Sequence, residues 1–178
     1  MRAVCTTQLK QNIRIGAVII LLAALVLAAA YALYTREPEL IDPAETVGEP
    51  IVLDSAYSYS ELAPQGLPCV VRLCGTPQVD GKTVYLNLTS PEYNVYLMRA
   101  EVYSVKLEVN AATGEQKPVP DKLLGKTGFI HPGTYVEKLQ LDKALKDGET
   151  PVCIKIGLRD EETGHSGGFF YVNTSLVQ

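Results

Sequence analysis

Two histidines, His131 and His165, are the whole supply of imidazole in this chain of 178 residues. His165 lies in the run Asp160-Glu161-Glu162-Thr163-Gly164-His165-Ser166, which holds the residue types of a hydrolytic triad. A triad needs nucleophile, base and orienting acid to converge in space. Neighbours on one loop rarely converge that way, and the chain has no Gly-x-Ser-x-Gly elbow. The carboxylates of Asp160, Glu161 and Glu162 could face calcium, but calcium takes about six to eight oxygens in a set arrangement and the EF-hand spacing is absent. The run is expected to be a solvated hairpin tip. His131 belongs to His131-Pro132-Gly133, which reads as a turn. No catalytic, cofactor-binding or metal-ligating residue is assigned, and the chain is expected not to be an enzyme.

Four cysteines remain as reactive candidates. Cys5 precedes a long apolar block, so it is not placed as a lipoprotein cysteine would be. Cys69, Cys74 and Cys153 follow the block, and an odd number cannot all pair within one chain. If residues 69 to 74 form one straight strand, Cys69 and Cys74 stand about 16 Å apart at 3.3 Å per residue. That exceeds the Cα separation a disulfide tolerates. The expectation is three small buried thiols, with a bond from Cys153 to Cys69 or Cys74 left open. The CxxxxC spacing is a poor zinc signature.

The elements that would carry these residues begin with a membrane segment. Residues 15–34 contain no charged side chain and ten Leu, Ile or Val. At 1.5 Å per residue about 20 residues cross the hydrocarbon core of a bilayer. These ten favour insertion by roughly 3–6 kcal/mol. Residues 1–14 carry Arg2, Lys10 and Arg14 and no acid, whereas Arg36, Glu37, Glu39 and Asp42 follow the block. The positive-inside tendency leaves the N-terminus in the cytoplasm and the rest outside. A cleaved secretory signal is the rival reading, because Ala28, Ala29, Ala30 and Ala32 resemble a cleavage region. The apolar run is longer than a signal's apolar region, which favours a retained anchor. Ala24, Ala28 and Ala32 could pack on another helix, though alanine is common in such helices.

The formal charge is −4, of which the first 14 residues contribute +3, leaving −7 for the remainder. An acidic exterior domain argues against nucleic acid and anionic lipid surfaces, both of which need basic patches. Residues 35–65 read as linker and lead-in, with Pro38, Pro43, Gly48 and Pro50 interrupting any periodicity. Ile51 to Leu62 is either a first strand or an approach to one. From residue 66 to 178 the punctuation is that of an all-β domain of about seven or eight short strands.

Within that domain Val84, Leu86 and Leu88 alternate toward one face, as do Val152, Ile154, Ile156 and Leu158. Val95 to Val109 changes phase, with Tyr96, Met98, Ala100 and Val102 on one parity and Tyr103, Val105, Leu107 and Val109 on the other. A strict period of two cannot hold that, so a bulge or strand switch is expected at Val102-Tyr103. Ala111 to Pro120 is expected to be an exposed loop, and Asp142 to Lys146 a single helical turn. Leu139 and Leu141 are placed inward. Tyr57, Tyr59, Tyr93, Tyr96 and Tyr103 could line a glycan or peptide face, but tyrosine is also an ordinary strand residue. Asn87-Leu88-Thr89 and Asn173-Thr174-Ser175 match the glycosylation acceptor pattern, a short motif expected to recur by chance.

Three segments carry a family likeness: Asn87-Leu-Thr-Ser-Pro91-Glu-Tyr-Asn94, then Leu124-Gly-Lys-Thr-Gly-Phe-Ile130-His-Pro132-Gly133-Thr-Tyr135-Val136, then Ile154-Lys-Ile156. Together they resemble a group of small uncharacterised Firmicutes proteins with one membrane segment and one immunoglobulin-like extracytoplasmic domain. The likeness covers residues 66 to 178. It departs at Ser90, where the pattern has Asn before Pro, and in the longer loop Glu108 to Asp121. The resemblance implies an immunoglobulin-like β-sandwich at a bacterial surface and carries over no functional residue. Pro132 and Gly133 suit a turn with φ > 0 at the glycine, and Gly125 and Gly128 suit bulges or close sheet approach.

The sequence thus reads as a single transmembrane helix followed by an immunoglobulin-like sandwich at the cell membrane. The domain would bind a protein or cell-wall partner, with strand addition one route. The alternative is a structural subunit of a membrane complex whose helix makes the contacts; a surface hydrolase is the remote third.

Overall fold

The structure is a computed structural model that describes residues 22, 24–26, 41–50, 59–109 and 114–178. Leu22, Ala24, Leu25 and Val26 are helical. The remainder of the apolar run 15–34 lies outside the described residues. Among those described, no helix is long and apolar enough to cross a membrane. Residues 40–178 form a compact unit of their own.

That unit is all-β and consistent with a β-sandwich. Its strands in chain order are β1 Thr46–Val47, β2 Tyr59–Leu62, β3 Val71–Cys74, β4 Gln78–Asp80, β5 Thr83–Ser90, β6 Leu97–Val109, β7 Gln116–Lys126, β8 Thr134–Gln140, β9 Glu149–Arg159 and β10 Ser166–Val177. The strands β10, β9, β6 and β7 lie side by side, antiparallel throughout. β8 pairs with β5, whose other edge is shared by β3 and β4. β2 continues outward from β3, and β1 from β8. One parallel contact, Gln78 to Val177, joins β4 to β10.

The core follows from period-two alternation. Val84, Leu86 and Leu88 of β5 are buried, and so are Val152, Ile154, Ile156 and Leu158 of β9. With Met98, Ala100 and Val102 of β6 and Val71, Leu73, Val136 and Leu139 they form one cluster. Each fully buried aliphatic side chain stabilises by about 1.5–3 kcal/mol. Leu139 and Leu141 point inward as expected.

The phase change in β6 is a bulge. Pairing with β7 shifts register between Val102 and Tyr103 and again before Val105. Pairing with β9 runs unbroken from Leu97 to Ser104. It stops where Pro151 would be the next partner, and proline has no N–H to offer a ladder. Past that point β6 and β7 form a two-stranded ribbon, so Leu107 and Val109 stay exposed despite their alternation.

Three expectations need correction. The expected loop Ala111 to Pro120 becomes strand from Gln116, because Pro118 and Pro120 sit on β7, beside β6 only, where missing donors do little harm. The expected strand from Cys69 starts at Val71, since Asn94 takes the place of a pairing strand at Val70. Asp142 to Lys146 has no helical turn; the backbone there bends and is tied by Asp142 N–H to Leu124 O. Lys82 caps the same bend through a hydrogen bond to Asp142 O.

Candidate functional site

The residues singled out for chemistry do not assemble. In the turn between β9 and β10, Asp160 accepts hydrogen bonds from the Thr163 backbone N–H and hydroxyl, each at 2.7 Å. Those two bonds hold its carboxyl below the ordinary aspartate range against a small opposing effect of desolvation. The acid therefore shapes its own turn, closed by Asp160 N–H to His165 O and Gly164 N–H to Asp160 O. Ser166 Oγ accepts from Gly168 N–H. No nucleophile–base pair forms there, and among the described residues no three His, Cys, Asp or Glu stand together as a metal site.

Cys69, Cys74 and Cys153 are buried free thiols. Burial pushes all three thiols up, which leaves little thiolate and little reactivity. The described side chains of Tyr93, Tyr96 and Tyr103 have separate surroundings. Tyr93 is exposed on a turn, Tyr96 packs under Gly167, and Tyr103 is held by Glu101. Tyr57 lies outside the described residues. Asn87 takes φ 49° at the register shift of β5 against β8, an αL geometry asparagine tolerates better than most residues.

Charged side chains instead build two networks. The first lies on the outward side of β6 and β9. Glu101, nearly buried, receives Arg99 at 2.7 Å, Lys155 at 3.1 Å and the Tyr103 hydroxyl at 2.9 Å. Burial pushes the Glu101 carboxyl up, but these partners pull harder and leave it below its ordinary value. Burial and the same carboxylate push the Tyr103 phenol up to about 12. Lys155 also lies over the exposed Phe169 ring, and Phe169 meets Tyr171 edge to face at 5.6 Å.

The second network was not foreseen, because its members are distant in sequence. Glu45 lies 3.0 Å from His131 Nδ1 and 2.6 Å from the Thr134 hydroxyl, and accepts the His131 backbone N–H. His131 Nε2 faces Glu161 at 3.5 Å. Burial pushes the Glu45 carboxyl up, but the donors from His131 and Thr134 outweigh it and hold the group below its ordinary 4.5. A depressed carboxyl contributes stability that is present above that value and lost as pH falls through the folded-state value. Acidifying the protein through that folded-state value, which lies below 4.5, should therefore loosen the hold of Glu45 on residues 41–49. Backbone NMR of the intact protein checks this, with Gly48 and Glu45 amides expected to shift before those of the core.

One feature resembles a recognition site. β10 pairs with β9 over its whole length, but its other edge meets a described strand only at Val177. From Ser166 to Leu176 that edge offers N–H and C=O groups to no other strand among the described residues. Beside it runs an open groove of about 370 Å³ lined by Leu62, Ala63, Pro64, Phe170, Tyr171, Val172 and Asn173. Phe169 and Tyr171, which alternate along the strand with Phe170 and Val172, are half exposed. The site is thus a strand edge flanked by an apolar slot and an aromatic pair. The chain matches no protein-family model, no curated protein and no solved structure.

Proposed function

We propose that the chain is a single-pass membrane protein displaying a non-enzymatic immunoglobulin-like module outside the cytoplasm, and that the module captures an extended segment of a partner protein along β10. The uncharged run 15–34 behind three cationic residues supports the anchor and its orientation. The order β10-β9-β6-β7 facing β8-β5 with β3 and β4 supports the immunoglobulin-like topology.

The observation that carries the binding reading is the edge of β10, which from Ser166 to Leu176 pairs with no second strand among the described residues. A row of backbone donors and acceptors is complementary to another extended backbone, and side-chain pockets on alternate positions then add selectivity. An added strand would place one side chain in the slot of Leu62, Pro64, Phe170 and Val172. Its neighbours would point toward Phe169 and Tyr171, so the favoured segment alternates an aliphatic residue with aromatic or aliphatic ones.

The test is site-specific photocrosslinking in membranes of the producing cell. A photoreactive residue at Asn173 should give one discrete adduct, and the same group at Tyr85 on β5 should give none. Phe169→Lys, which adds charge beside the edge, should lower the adduct yield about tenfold, on the order of 1.4 kcal/mol. An adduct from Tyr85 and none from Asn173 rules out β10 as the docking edge.

A further inference from the structure

We propose that residues 41–49 form a releasable strap, clamped to the domain by its own carboxylates, which sets the length of chain free between the anchor and the module. The tether-length consequence rests on the anchor reading given above; the clamp does not.

The contacts holding the strap are almost all polar. Asp42 donates its N–H to Phe129 O and accepts the Gly128 N–H on its carboxylate at 2.7 Å. Glu45 is gripped by His131 and Thr134. Gly48 N–H donates to Gly133 O, and Glu49 pairs with Arg72. Of three acids in eight residues, Asp42 and Glu45 meet the segment that enters β8 and Glu49 meets Arg72 of β3. The apolar side chains contribute little: Val47 is 86% exposed and Ile41 36%. β1 itself is only two residues, laid on the edge of β8 at Thr134 and Tyr135.

A segment fastened by carboxylates rather than by buried apolar surface can open without unfolding the core, because local opening costs only the contacts it breaks. Ion pairs such as Glu49 with Arg72 are also screened by salt. The domain core contributes none of its buried cluster to the strap. The acids occupy Gly128, His131 and Thr134, all in the segment that enters β8. That segment's turn is fixed by Gly133 at φ 78°, with Gly133 N–H bonded to Ser90 O. The receiving turn is thus held by a contact that does not involve the strap.

The consequence is one of reach. Docked, six residues separate Tyr34, the end of the apolar run, from Ile41, and that length of chain can span at most roughly 25 Å. Release of the strap adds its nine residues, roughly 30 Å more. Release also bares the β8 edge that β1 covers.

Hydrogen exchange read by mass spectrometry on the full chain in lipid vesicles tests the clamp. In the wild type, the Asp42 and Gly48 amides should exchange at least 100-fold faster than Ile154, yet more slowly than free peptide. In the double variant Asp42→Ala, Glu45→Ala, strap amides should reach the free-peptide rate while Ile154 is unchanged. Should that variant not fold, the wild-type rates decide alone: strap amides that exchange only as fast as Ile154 overturn the proposal. Co-flotation of the same samples with the vesicles tests the anchor separately. A chain that does not float sinks the tether consequence and leaves the clamp standing or falling on its exchange rates.

Discussion

Gly125→Ala should lower the stability of the β unit by about 2–3 kcal/mol, while Gly157→Ala leaves it unchanged or raises it by a few tenths. The difference comes from what a Cβ meets. At Gly125 it would lie 2.4 Å from the backbone oxygen of Gln140 and 2.9 Å from a methyl of Leu139. The first obstacle is main chain and cannot swing aside. Gly125 lies on β7, and Asp142 N–H bonds Leu124 O one residue away, so the two segments are pinned close together at that point. Overpacking of a fixed interface costs about 1–3 kcal/mol, occasionally more. At Gly157 the added methyl meets only the flexible Arg99 side chain at 3.8 Å, an ordinary contact. Glycine in a strand interior also carries an entropic cost of about 0.5–1 kcal/mol that alanine removes. Urea titration of the full chain in detergent micelles separates the two. Equal midpoints for both variants contradict close approach as the reason for glycine at 125.

Asn94→Ala should cost about 2–4 kcal/mol, and Asn94→Leu should not recover it. Asn94 is buried, and its side chain does the work of a neighbouring strand. Its Oδ1 accepts the Val70 N–H at 2.9 Å, while its Nδ2 donates to Val70 O at 2.7 Å and to Ser90 Oγ at 3.0 Å. Removing the amide leaves both backbone groups of Val70 and the Ser90 hydroxyl without these partners. An unsatisfied buried polar group costs about 1–3 kcal/mol, reduced here because Val70 is only partly buried. Leucine restores volume and supplies no donor or acceptor, so it distinguishes hydrogen bonding from packing. Ser90→Ala, which loses one partner of three, should cost about 1 kcal/mol. Recovery of stability in Asn94→Leu contradicts this account.

The turn that carries Asn94 thus holds the start of β3 by side-chain hydrogen bonds to Val70, and the Ser90 hydroxyl accepts from the same amide.

The legible parts of the fold were those governed by local periodicity. Val84 to Leu88 and Val152 to Leu158 announce one buried face because their side chains alternate strictly. The bulge at Val102-Tyr103 was legible because a parity change admits few other solutions. Gly133 was legible because its neighbours demand a positive φ. Leu107 and Val109 misled, since alternation says which side chains share a face and nothing about whether a second layer covers that face. The acidic turn at Asp160 was rightly read as a turn, but its link to His131 through Glu161 could not be read from residues thirty apart.

The sequence by itself determined the all-β character of residues 66–178, the inward-facing stripes, the principal turns and the marked contrast between an uncharged run and an acidic remainder. These depend on alternation, turn chemistry and charge, all of which act between near neighbours. Only the tertiary structure decided that residues 41–49 belong against β8, that Asn94 stands in for a strand at Val70, and that β10 from Ser166 to Leu176 pairs, among the described residues, with β9 alone. Each of those depends on which segments end up side by side, and contacts across 24 or 86 residues leave no periodic trace in the chain.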